Sequence, residues 1–189
     1  MIVRRDLLES LVLIVALAAS AAPVATATAA AQDETSLLGY VGRSSFWIDI
    51  PRDWKSLPEE ASERKAIFIL TPAGDAANAP LLRIVGSSHR NATVTEALEK
   101  ARRDILSQNP GAGVQAPSVL GIGNIQATLV EVRGSPDASR QFQTIALVPL
   151  QTDVVVITLT AASEAGHQRG HGALMELLES FAAAGAGPG

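Results

Sequence analysis

The sequence contains no cysteine, so no disulfide can staple the fold and no lipid can be attached at a lipobox cysteine. Stability must therefore come from a packed core. Aromatic residues are scarce, with two Trp, one Tyr and four Phe, so any core has to be built mainly from aliphatic side chains. Basic residues number 15 against 19 acidic ones, giving a formal charge of −4, and no stripe of clustered Lys or Arg is present. That balance argues against a nucleic-acid partner, which calls for a basic footprint. It also argues against strong direct binding to anionic lipid, which needs several clustered cations. No internal repeat and no interior low-complexity segment occurs.

What is present begins with a targeting pattern. Arg4 and Arg5 make a short basic start, Leu11 to Ala22 is an unbroken apolar run, and Pro23 breaks it. The small residues Val24 to Ala31 offer several A-x-A cleavage sites before the polar Gln32, Asp33 and Glu34. The strongly apolar part is shorter than the ~20 residues that a bilayer span requires. Residues 1–31 are therefore expected to be a signal peptide, cleaved within Ala25–Ala31, rather than a retained anchor. Arg4-Arg5-Asp6-Leu7-Leu8 resembles a twin-arginine motif, but an ordinary Sec n-region accounts for the same two arginines and is preferred. Removing this segment takes away Arg4, Arg5, Asp6 and Glu9 and leaves the net charge unchanged. The remainder, residues 32–183, fits one domain in the periplasm or outside the cell, large enough to bury about 70% of the surface of its unfolded chain. Residues 184–189 are expected to be a disordered tail, because the Ala/Gly run after Phe181 has too few large apolar groups to fold back.

Hydrophobic periodicity then outlines the elements. Phe46, Ile48 and Ile50 alternate with Trp47 and Asp49, which predicts a strand ended by Pro51. Trp54 to Leu57, Ala66 to Thr71 and Leu81 to Val85 predict further strands. Thr93-Val-Thr-Glu96 is a capping box that opens a helix whose apolar stripe is Val94, Leu98, Ala101 and Ile105, and Asn109-Pro110-Gly111 stops it. Glu96 and Lys100 stand at the i,i+4 spacing of a favourable pair. Strands resume at Val119–Ile122, Ile125–Val132, Gln141–Leu150 and Val154–Thr160, the last being the most β-branched run and so the expected central strand. A closing helix is expected over Gly172–Ala183, with Leu174, Leu177, Leu178 and Phe181 on one face. Strands, a helix, a three-stranded meander and a helix together describe an α+β fold, a largely antiparallel sheet flanked by helices.

Few residues suggest chemistry. His167 and His171 stand four apart and could face one way as metal ligands, with Glu164 nearby. Glycines at 166, 170 and 172 disfavour a helix there, and two ligands alone rarely hold a transition metal, so a solvated loop is the expectation. Ser88 and His89 are neighbours on a strand pattern and point apart, so they do not make a nucleophile–base pair. Gly111/Gly113 and Gly121/Gly123 do not open helices and read as turns rather than phosphate cradles. Asn91-Ala92-Thr93 fits a glycosylation sequon, but Thr93 serves the helix cap. Trp47 falls on the strand face opposite Phe46 and Ile48; a helix usually covers such a face, and an uncovered Trp47 would be a candidate partner-binding anchor. No catalytic residue and no cofactor is indicated.

The pattern Phe46-x-Ile48-x-Ile50-Pro51-x-x-Trp54 resembles the opening strand and turn of the PsbP/Mog-type family. Gly123-Asn-Ile-Gln-Ala127 before a long strand pair, and Leu177-Leu-Glu-Ser-Phe181 after a β-branched strand, resemble two further landmarks. The likeness spans about Tyr40 to Phe181. It implies an antiparallel sheet sandwiched between helices, as in PsbP, a Ran-binding protein and many bacterial envelope proteins, and it implies binding and assembly rather than a shared reaction. The resulting expectation is an exported, non-enzymatic binding or accessory protein of the bacterial envelope. Its partner would be another envelope protein or a membrane complex. The alternative is a periplasmic protein that binds a small ligand or a metal through the His167/His171 segment.

Overall fold

The computed structural model describes residues 35–74, 78–87, 93–123, 125–134 and 141–184. The chain divides into two units, Met1–Gln32 and Asp33–Gly189. The expected signal segment, the Ser88/His89 pair, the Asn91 sequon and the last five residues lie outside the described residues.

Eleven strands and three helices are described: β1 (Ser36–Val41), β2 (Ser44–Asp49), β3 (Trp54–Ser56), α1 (Pro58–Glu63), β4 (Phe68–Pro72), β5 (Leu81–Gly86) and α2 (Val94–Gln108) are followed by β6 (Gly113–Val114), β7 (Ser118–Ile122), β8 (Ile125–Arg133), β9 (Phe142–Pro149), β10 (Val154–Ala161), α3 (Glu164–Ser180) and β11 (Ala182–Ala184). Every strand pairing is antiparallel. The large sheet runs β3-β4-β5-β10-β9-β8, and β6 and β7 both pair along the outer edge of β8. A small sheet runs β1-β2-β11. The expected α+β class is what the chain adopts, and β10 is central, as its β-branched run predicts.

Period-two alternation on the inner strands feeds two cores. Val155, Ile157 and Leu159 of β10 meet Leu174, Leu177 and Leu178 of α3, while Val154 and Val156 of the same strand meet the apolar stripe of α2. The two long helices therefore cover opposite faces of the large sheet, an α/β/α sandwich. The small sheet shares the α3 side, with Phe46 and Ile48 wholly buried in that core. Two hydrogen bonds fix it there: Ser180 Oγ accepts from the Asp49 amide at 2.9 Å, and Glu176 Oε2 accepts from the Arg52 amide at 3.2 Å.

The ends of helices show where local signals were sufficient and where they failed. At α2 the capping box forms as expected, Thr93 Oγ1 accepting from the Glu96 amide and the Glu96 carboxylate accepting from the Thr93 amide. With Glu96 engaged at the cap, Lys100 pairs one turn onward with Asp104 at 2.6 Å instead of with Glu96. At α3 the expected range is wrong at both ends. The helix starts eight residues earlier than Gly172, capped by the Ser163 hydroxyl on the Gly166 amide, and it stops at Ser180. Gly170 does not end it because packing uses the missing side chain: a Cβ there would press into Leu159 of β10 and stand 3.1 Å from Pro80. Gly172 meets only open space. Gly172→Ala is therefore expected to raise stability by about 0.8–1.0 kcal/mol, the helix propensity difference, whereas Gly170→Ala should lower it. Chemical denaturation of both variants checks the contrast.

The Ala-rich stretch after Phe181 also departs from expectation. Ala182–Ala184 is a strand that pairs with Trp47, Phe46 and Ser45 of β2, where the closing helix was expected to run to Ala183 and the tail to begin at 184. Its hydrogen bonds are backbone bonds, which need no large side chain, so composition could not reveal them.

Candidate functional site

Trp47 is not covered by a helix. In the small sheet, side chains that oppose one another across a ladder share a face. Leu38 opposes Trp47, and Tyr40 opposes Ser45, so Leu38, Tyr40 and Trp47 stand on the outer face while Phe46 and Ile48 point inward. Tyr40 is 68% exposed and Trp47 44%, and these two rings and Val119 are the large apolar side chains most open to solvent among the described residues. The only tyrosine and one of two tryptophans in the chain therefore lie together on one open sheet face. Ala182 of β11 opposes Trp47 from the other side, too small to shield it. At the end of the face Asp49 accepts a hydrogen bond from Ser36, which places an acidic group beside the aromatic pair. Sequence reasoning singled out Trp47 but not Leu38 or Tyr40. The alternation of Leu37, Gly39 and Val41, inward on β1, was the available signal, and Gly39 hid it. A Cβ there would strike the Phe46 ring, so the position must be glycine although strands disfavour it.

His167 and His171 do come together, one turn apart on α3, with ring centroids 6.3 Å apart. They line a polar recess of about 320 Å³ with Glu131, Arg133 and Glu164. His167 Nε2 is 2.8 Å from Thr144 Oγ1, so one ring nitrogen is engaged within the protein, and the ring also tilts against Phe142. No group of three potential His, Asp or Glu ligands converges among the described residues. The expected solvated loop is thus a helical segment docked on β9, because the Ser163 cap and the close approach of Gly170 outweigh glycine's weak helix propensity.

Burial pushes the His167 imidazole below the usual value of 6.5; His171 and Arg133 push the same way, and Glu131 and Glu164 oppose them. The folded state thus holds this ring neutral more firmly than the unfolded chain does. As pH falls below 6.5, the unfolded chain takes up the proton first, and stability is lost until the folded pKa is passed. Melting temperature should fall with acidification in that window, and His167→Gln should flatten that part of the profile. Parallel profiles for the two proteins would show that another group is responsible.

No protein-family model matches this sequence, and no curated protein matches it. Solved structures do. The cyanobacterial PsbP protein CyanoP of Synechocystis is similar over 81% of this chain and 95% of its own length, at 12% identity and a TM-score of 0.51. LpqN, a protein involved in cell envelope biogenesis in Mycobacterium tuberculosis, is similar over 78% of this chain and 90% of its own, at 20% identity and a TM-score of 0.53. The fold is PsbP-like. The resemblance drawn from Phe46, Ile48, Ile50, Pro51 and Trp54 is thereby met by the whole arrangement of strands and helices. On this PsbP-like scaffold no helix among the described residues is long and apolar enough to cross a membrane.

Proposed function

We propose that this chain is an exported, non-enzymatic accessory protein of the bacterial envelope that acts by binding another protein through the outer face of its small sheet. The observation that carries this reading is the pairing of Tyr40 and Trp47, 68% and 44% exposed, with Leu38 on one flat face. Tyrosine and tryptophan supply large contact area at low entropic cost and dominate the energetics of protein interfaces. Asp49 at the end of the face and the absence of a Lys/Arg cluster favour a protein over an anionic lipid surface. The PsbP-like fold supports the reading, since one protein that shares it takes part in envelope biogenesis. The N-terminal pattern supports export, with cleavage within Ala25–Ala31.

A photo-crosslinking residue at position 40 in the native host tests the proposal. A discrete adduct with one envelope protein is expected, lost when Trp47→Asp is introduced and absent when the crosslinker stands at Glu99 on α2. An adduct indifferent to Trp47→Asp, or equally strong from Glu99, would overturn the assignment of this face. N-terminal sequencing of the fractionated protein tests export separately: a chain that still begins near Met1 would exclude cleavage.

A further inference from the structure

The α2 helix covers only part of its face of the large sheet. It packs over β9 and β10, and beside it, towards β5, a cleft of about 550 Å³ remains. That size falls within the roughly 300–1,000 Å³ of small-molecule sites.

The floor of the cleft changes character along the strands. The register sets Val85 beside Val156, then Arg83 beside Thr158, then Leu81 beside Thr160 and Gln143. The floor is aliphatic at Val85 and Val156 and mostly polar at Arg83, Thr158, Thr160 and Gln143, and Ala97, Ala101 and Ile105 of α2 line the wall. The opposite face of β10, Val155, Ile157 and Leu159, is wholly apolar. The threonines therefore appear only where the strand borders the cleft. Neither Thr158 nor Thr160 has a side-chain partner among the described residues.

Arg83 is the charged group at the junction. Its Nη2 donates to the Arg64 carbonyl at 2.9 Å, which holds the guanidinium in place. Its Nε is buried without a partner, and no carboxylate among the described residues pairs with it. The two acids on the cleft wall are committed elsewhere, Asp104 to Lys100 and Glu96 to the α2 cap. Lys65 and Lys100 are the other cations at the cleft, and Lys100 is held by Asp104. A partly buried guanidinium without a counter-charge is unfavourable, and a planar carboxylate is the anion that its donor fork matches best.

We propose that this cleft binds a small amphiphile with a carboxylate head and an unbranched apolar body. The head meets Arg83 and Thr158, and the body runs over Val85 and Val156. One fixed guanidinium suits a monoanion, and the aliphatic end suits a chain rather than a sugar or nucleotide. This site is separate from the Tyr40/Trp47 face and does not depend on the role proposed for it.

Calorimetric titration of the full chain with decanoate tests the proposal, alongside acetate and 1-decanol, each of which lacks one half of the ligand. Decanoate should bind one per chain, with both controls weaker by about tenfold or more. Arg83→Gln should weaken decanoate by a similar factor and leave 1-decanol unchanged, and the isosteric Thr158→Val should weaken decanoate several-fold. Circular dichroism melts establish that each variant is folded, and Thr158→Val decides if Arg83→Gln is not. Equal binding of 1-decanol and decanoate, or decanoate binding indifferent to both substitutions, overturns the proposal; the second result would place binding elsewhere, for instance on the apolar run Leu11 to Ala22.

Discussion

Phe46→Ala should lower stability by about 3–5 kcal/mol, as truncation of a fully buried Phe does, and should melt the small sheet away from α3. Phe46 is 0% exposed and is the point at which three parts of the chain meet. Its ring stacks on Phe181, just past the end of α3, with centroids 5.1 Å apart and planes 6° apart, and it meets the edge of Phe68 on β4 at 6.3 Å and 82°. Gly39 on the neighbouring strand leaves room for the ring by having no side chain. With so few aromatics in the chain, no other ring stands ready to fill the void. Phe181→Ala, at 6% exposure, should fall toward the lower end of the same range. The double variant should lose less than the sum, because both truncations remove the same stacked contact, worth about 0.5–1.5 kcal/mol. Urea denaturation of the three variants measures this. Strict additivity would show that the two rings do not act as a unit, and a loss under 1 kcal/mol for Phe46→Ala would mean that the small sheet contributes little to the fold.

Asp153→Ala should cost roughly 2–3 kcal/mol, the range for losing hydrogen bonds to a charged acceptor. Asp153 lies in the turn between β9 and β10 and is only 4% exposed. Its Oδ2 accepts from Ser44 Oγ at 3.0 Å and from Thr152 Oγ1 at 2.8 Å, and so ties the central hairpin to the start of β2. Gly42, at φ +57°, brings the β1–β2 turn against the carboxylate, and a Cβ there would stand 2.8 Å from Oδ2. Asp153→Asn keeps an acceptor at the same place and should cost less than Asp153→Ala. Thermal melts of the two variants test this: equal losses would show that the charge, rather than the hydrogen bonds, holds the turn.

Most of the architecture was legible in the residue order because it rests on local signals. Alternation at Phe46/Ile48 marked which side chains point inward, the β-branched run of β10 marked the central strand, and Thr93 and Glu96 marked the start of α2. Those signals are short-range, one period of a strand or one turn of a helix, so they survive in a single sequence. The elements that were missed or misplaced depend on contacts distant in sequence. The early start of α3 is set by Gly170 against Leu159 as well as by Ser163, and β11 exists because β2 offers an edge to a run of alanines. The exposure of Trp47 was also undetermined, since alternation says which face a side chain occupies but not whether that face is covered. The cleft beside α2 is the strongest case. Arg83, Thr158 and Gln143 are far apart along the chain, and only the pairing of β5, β10 and β9 places them side by side under a helix that leaves them uncovered. The class of fold, the inward faces and the lack of disulfides follow from composition and short periods. Which polar groups share a surface depends on strand order and helix placement, which no local pattern encodes.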